Sequence, residues 1–134
     1  MTLTLPLHIT AFYTGLLALC LLVLSLRVMQ LRYKTGIGLG SGDSDTLERA
    51  RRIHGNAAEW VPVGLLMILV LEALMAPLWL LHALGLALLA GRVFHAVGVT
   101  RSRGTTIPRA IGVSLSILQY VAGAIACLVY AVLI

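Results

Sequence analysis

Apolar and polar positions along this chain segregate into long blocks. Four apolar stretches run from about Leu5 to Leu26, Ala57 to Met75, Leu78 to Val99 and Ile107 to Ile134. Each approaches or exceeds the roughly 20 residues that one helical span of a bilayer requires. Little sequence is left over for a soluble domain or a linker. The pattern predicts an all-α integral membrane protein, an up-down four-helix transmembrane bundle in which residues 1–134 form a single domain. The most informative place is a junction. Residues 48 to 62, Glu-Arg-Ala-Arg-Arg-Ile-His-Gly-Asn-Ala-Ala-Glu-Trp-Val-Pro, are a dense polar run that enters the apolar stretch Val63 to Leu71. A helix that carries Arg52, Asn56 and Glu59 to the edge of a bilayer must satisfy them with partners or with a polar ligand, because unpaired charge at that depth is costly.

Composition agrees with the spans. The chain is 60% hydrophobic and 11% charged with a mean hydropathy of +0.99, which excludes the soluble globular class. No basic segment precedes the first apolar stretch, and that stretch is longer than the roughly 7–15 residues of a signal-peptide core. The first helix is therefore expected to stay in the mature protein. Cys20 and Cys127 fall inside predicted spans and read as apolar packing residues.

Charge placement sets the expected orientation. All ten basic residues lie near the first connection (Arg27, Arg32, Lys34, Arg49, Arg51, Arg52) or the third (Arg92, Arg101, Arg103, Arg109), and none near the second, Met75-Ala76-Pro77. In an up-down bundle the first and third connections share a face. The positive-inside rule makes that face cytoplasmic, so the expected topology is multi-pass, with both termini outside and the polar site facing the cytoplasm. The formal charge of +5 needs no nucleic acid. Topology, contact with anionic membrane lipid or an anion-binding pocket each account for it.

Helix 1 is expected to continue through Arg27 and Arg32 until Gly36, Gly38, Gly40 and Gly42 break it. The Gly-rich segment reads as a turn, since no βαβ context makes it a nucleotide loop. Asp45 or Thr46 is the expected cap of helix 2, which then runs for roughly 30 residues, about 45 Å. Pro62 inside it predicts a kink or a freed carbonyl. Pro77 marks the turn into helix 3 and Pro108 suits the first turn of helix 4. The small residues Gly112, Ser116, Gly123 and Ala126 would allow helix 4 to pack closely.

At about 100° per residue, Glu48, Arg49, Arg52, Asn56 and Glu59 share one stripe of helix 2, while His54 and Trp60 point off it. Glu48 to Arg52 and Arg52 to Asn56 are i,i+4 pairs, and Asn56 to Glu59 is i,i+3. The stripe reads either as a self-satisfied seam between helices or as a ligand site. Helix 3 adds Arg92 and His95 on one face, with Arg92 the natural partner for Glu59. Arg109 opens helix 4 either as a snorkelling anchor or as a chemical group. Several arginines around one asparagine and one carboxylate suit a small zwitterionic ligand with an anionic excess. Glu59 would take an ammonium group and Asn56 a peptide amide. There is no Ser-His-Asp set and no phosphate loop, and His8, His54, His82 and His95 are too dispersed to suggest zinc.

The run Glu48-Arg49-x-x-Arg52-x-His54-x-Asn56-x-x-Glu59 followed by Pro62, with Gly91-Arg92-Val93-x-His95 and Pro108-Arg109, resembles the signature of the MAPEG superfamily, the membrane-associated proteins in eicosanoid and glutathione metabolism. The resemblance covers the whole chain, and the short Gly-rich first connection is similar to a bacterial branch. It implies a homotrimer binding glutathione as co-substrate between subunits near the cytosolic face. Glutathione would contact Arg52, Asn56 and Glu59, with Arg27 and Arg92 nearby and His54 serving the adjacent subunit's site. Arg109 matches the arginine proposed to hold the glutathione sulfur as thiolate, for attack on a hydrophobic, lipid-like electrophile entering from the bilayer. His95 and Val99 stand where several members carry tyrosines, and Ala110 stands where prostaglandin E synthase has a serine. The resemblance thus implies a glutathione S-transferase, with peroxidase activity as an extension. A non-catalytic lipid-binding scaffold of the same fold is the second reading. A small proton-coupled exporter is the third, for which Glu59 and Glu72 are the membrane-embedded acids.

Overall fold

A computed structural model describes residues 6–133, and every element among them is helical. Helix α1 spans His8–Thr35, α2 Asp45–Ala73, α3 Leu78–Arg101 and α4 Ile107–Leu133. All four are long and apolar enough to cross a membrane. The ends assigned from sequence to Leu5 and Ile134 lie outside the described residues.

Local chemistry explains where each helix stops. Gly36, at φ 69°, ends α1 in the left-handed conformation, and its N–H returns to the Arg32 carbonyl. The Arg32 guanidinium then donates to the carbonyls of Ile37 and Gly40, both at 3.0 Å, folding the Gly-rich segment into the expected turn. The cap of α2 is Ser44 rather than Asp45 or Thr46, because its hydroxyl accepts from the Leu47 N–H at 3.2 Å. Asp45 is left to face other charges. At the far end of α2, Met75 takes φ 59°. The Met75 N–H bonds the Glu72 carbonyl and the Ala76 N–H bonds that of Leu71, a Schellman closure with methionine where glycine is usual.

Helix α2 runs unbroken through Pro62. Near the proline, α4 supplies donors to α2 carbonyls: the Tyr120 hydroxyl to Trp60 at 2.7 Å and the Gln119 amide to Gly64 at 3.3 Å.

The bundle is closest between α3 and α4. Lipid tails are as apolar as leucine, so helices in a bilayer associate by close packing of small residues and by interhelical hydrogen bonds. Here a Cβ at Gly98 would meet the Arg109 backbone, and one at Gly112 would meet the His95 backbone. These contacts hold the start of α4 against the end of α3. Helix α1 packs on α2 and α3, and among the described residues its backbone makes no close approach to α4. The outward residues of α4, among them Ile117, Leu118, Ile125 and Leu128, are exposed, as suits a helix face turned to lipid.

Both connections α1–α2 and α3–α4 lie at one end, joined by an ion pair between Asp45 and Arg103. The opposite end is closed by Glu72. Its carboxylate, buried at the C-terminal end of α2, accepts from the Ile9 N–H at 2.9 Å and the Thr10 N–H at 2.7 Å. These amides open α1, whose own N-cap, Leu7, has no side chain able to accept. A distant acid therefore caps the first helix and meets its positive dipole end. Beside it the Tyr13 hydroxyl lies 3.1 Å from His82 Nδ1.

Candidate functional site

The polar ends of α2, α3 and α4 enclose a cavity of about 340 Å³. Asp45, Glu48, Arg49, Arg52 and Asn56 reach it from α2, His95 and Val99 from α3, Arg103 from the following loop, and Arg109 from α4. A second hollow of about 260 Å³ shares Glu48, Arg52 and Asn56 and extends along α2 to Glu59. Together they follow the stripe read from the sequence. Each volume is near the lower bound of small-molecule sites, roughly 300 Å³.

The acids at the mouth are largely committed. Asp45 pairs with Arg49 at 2.7 Å and with Arg103. The hydrogen bond and charge of Asp45 make the Arg103 guanidinium, which lies in the loop beyond α3, more basic than an ordinary arginine. Glu48 pairs with Arg51 at 3.0 Å, not with Arg52 as the i,i+4 spacing suggested. Arg49 also donates to the Thr100 carbonyl at 3.2 Å. Arg109 is placed by backbone: its N–H bonds the Thr106 hydroxyl at 3.3 Å and its guanidinium bonds the Arg103 carbonyl at 3.3 Å.

One expected pair does not form. Arg92 bonds Asn56 Oδ1 and Ser116 Oγ instead of Glu59, and its guanidinium lies 5.5 Å from the Trp60 ring centroid. Trp60, read as pointing off the stripe, thus packs beside the polar cluster. Glu59 stays exposed. Among the described residues, Arg52, Arg109 and Glu59 have no oppositely charged partner. Within one chain the stripe is therefore only partly satisfied by its own pairs.

The sequence-derived residues divide into two groups. Arg52, Asn56, His95 and Arg109 line the main cavity, Glu59 lines the adjoining hollow, and Arg92 stands behind Asn56. Arg27 and His54 are not brought to it. Arg27 lies in a separate hollow with Thr46, Arg49, Ala50, Ile53 and Thr100, and His54 lines neither polar cavity. Three contributors were not singled out as site residues from the sequence: Asp45, Arg103 and Ser116. Asp45 and Arg103 carried a signal in their charge and their place at the shared end of the bundle. Ser116 carried none beyond its small size.

A distinct apolar groove of about 330 Å³ opens between α1, α2 and α3, lined by Leu17, Cys20, Leu24, Val61 and Val97, with Arg92 its one charged residue.

Comparison with known proteins fits this architecture. The inner membrane protein YecN of Escherichia coli, in strain K12 and in strain O6:H1, is 39% identical over 90 residues, covering 67% of this chain and 69% of YecN. No solved structure matches the chain. The model of the MAPEG family matches residues 10–129, and with four spanning helices in place the chain belongs to that family.

Proposed function

We propose that this chain is a membrane-bound glutathione transferase, with peroxidase activity as an extension, that works at a cytoplasmic-side site shared between the subunits of a homotrimer. The observation that carries the reading is the charge left over at the cavity. Asp45 and Glu48 are spent on Arg49, Arg103 and Arg51, which leaves two guanidiniums, Arg52 and Arg109, and one carboxylate, Glu59. Glutathione as thiolate offers a partner to each of the three: a carboxylate for Arg52, the thiolate for Arg109 and an ammonium group for Glu59.

Arg52 takes a carboxylate as a bidentate fork, Glu59 takes the ammonium, and Asn56 bonds the peptide. Arg109 faces the sulfur. A thiol with an ordinary pKa of about 8.5 is mostly protonated at neutral pH, and an adjacent guanidinium favours the thiolate. The thiolate then forms a carbon–sulfur bond with a hydrophobic electrophile, and the bonding pair leaves with the displaced group. His95 lines the wall near Arg109, where it orients the peptide. Arg27 and His54, which do not line this cavity in one chain, complete the site from the adjacent subunit.

An ultraviolet difference titration of detergent-purified protein with glutathione at neutral pH tests the reading. A saturable thiolate absorbance is expected. Its absence, with no binding by calorimetry, would overturn the proposal. The apolar groove favours one other reading, a lipid-binding scaffold without catalysis. That reading gains if fatty acids bind saturably while glutathione does not.

A further inference from the structure

Arg92 is the most deeply placed cation of the bundle, 5% exposed, and Ser116 on α4 is fully buried. Their hydrogen bonds have only one possible direction. A guanidinium donates and never accepts. Ser116 Oγ must therefore accept from Arg92, which leaves its own hydrogen for the Gly112 carbonyl at 2.9 Å. By the same rule the Asn56 atom that meets Arg92 is the carboxamide oxygen. The NH2 group of Asn56 is then turned away from Arg92, toward the cavities that Asn56 lines.

We infer that Ser116 and Arg92 form a polarity relay that locks Asn56 as a hydrogen-bond donor, so that the site selects a ligand presenting a carbonyl or carboxylate oxygen at this point. Ser116 is a positioning residue: it holds Arg92, and Arg92 holds the amide. The relay deepens the glutathione reading and rests on it for the ligand. It names which side of the peptide faces Asn56, namely the C=O and not the N–H. The small residues of the α3–α4 contact make it possible. A Cβ at Gly91 would collide with Ser116 Oγ at 2.7 Å, so glycine there lets the serine reach the arginine.

Asn56 is the only asparagine in the chain, so labelling asparagine with nitrogen-15 gives a single carboxamide signal in the full-length protein. In Ser116→Ala, the Asn56 signal is expected to move before any ligand is added. Glutathione affinity should fall about tenfold, the scale of one hydrogen bond, while turnover at saturation holds. An unmoved signal with unchanged affinity would overturn the relay. Should wild-type protein take up no glutathione, the proposed function falls. The ligand-free comparison would still decide the relay, a shifted signal supporting it and an unshifted one overturning it.

Asn56→Asp guards against a folding defect. It keeps the shape and pairs with Arg92, but presents an oxygen to the ligand in place of the NH2. A loss on the order of a hundredfold in glutathione affinity is expected, from one lost charge-assisted bond and one new repulsion. A variant that binds glutathione as tightly as wild type would overturn the assignment.

Discussion

Two glutamates on α2 have opposite fates. Glu72 is buried and spent: two backbone amides of α1 point at its carboxylate. Glu59, further toward the polar end of the same helix, is exposed and meets no cation among the described residues. The difference teaches that an acid in or near a membrane span is not by itself a functional group. Glu72 satisfies donors that the fold created, while Glu59 is available to satisfy donors that a ligand brings. It also weakens the exporter reading, because Glu72, one of its two candidate carboxylates, is occupied in joining α2 to α1.

The largest effect should therefore fall on folding rather than chemistry. Glu72→Ala orphans two buried N–H groups at roughly 1.5 kcal/mol each, so stability should drop by about 3 kcal/mol. Unfolding of the purified protein in detergent would show it, with the glutathione affinity of the surviving folded fraction unchanged. Equal stability would mean that water replaces the carboxylate. The next effect falls on the opposite end. Arg109→Ala should leave glutathione affinity nearly intact but remove the thiolate absorbance, and lower turnover on the order of a hundredfold, as for the loss of one preorganised electrostatic contact. Unchanged turnover would remove Arg109 from the mechanism.

The spans were legible because the bilayer demands long apolar runs, and the Gly-rich turn because Gly36 and its neighbours interrupt one. The polar stripe was legible from helical spacing alone. Partner choice within it was not. Arg92 has Glu59 within plausible reach by sequence, yet α4 brings Ser116 to it, and the close approach that permits this depends on Gly91 and Gly112 in two different helices. The Glu72 cap was equally hidden. It joins residues more than sixty positions apart, and only the missing capping side chain ahead of His8 hinted that α1 needed outside help. Local spacing predicts neighbours on one helix and says little about which competing partner another helix will supply.

Glu59→Gln sharpens the contrast between the two acids. The amide keeps the shape and loses the charge that the ammonium of glutathione would meet, so affinity should fall about tenfold, the scale of a hydrogen bond to a charged group. Calorimetric titration reads it directly, with no change expected in the unfolding temperature. An unaltered affinity would return Glu59 to a structural role and leave the ammonium without a partner.

The same contrast recurs at closer quarters in two adjacent arginines. Arg51 is paired with Glu48 at 3.0 Å on a partly exposed face, while Arg52 lacks a carboxylate and lines both polar cavities. Exposed pairs of this kind contribute roughly 0–1 kcal/mol. Arg51→Ala should therefore change stability by no more than about 0.5 kcal/mol and glutathione affinity by about twofold or less. Arg52→Ala should cost affinity at least tenfold, because no other side chain of α2 offers an uncommitted fork to a carboxylate. Loss of binding in Arg51→Ala equal to that in Arg52→Ala would mean that the cavity responds to total positive charge. In that case the unpaired state of Arg52 would no longer mark it as the ligand's own contact.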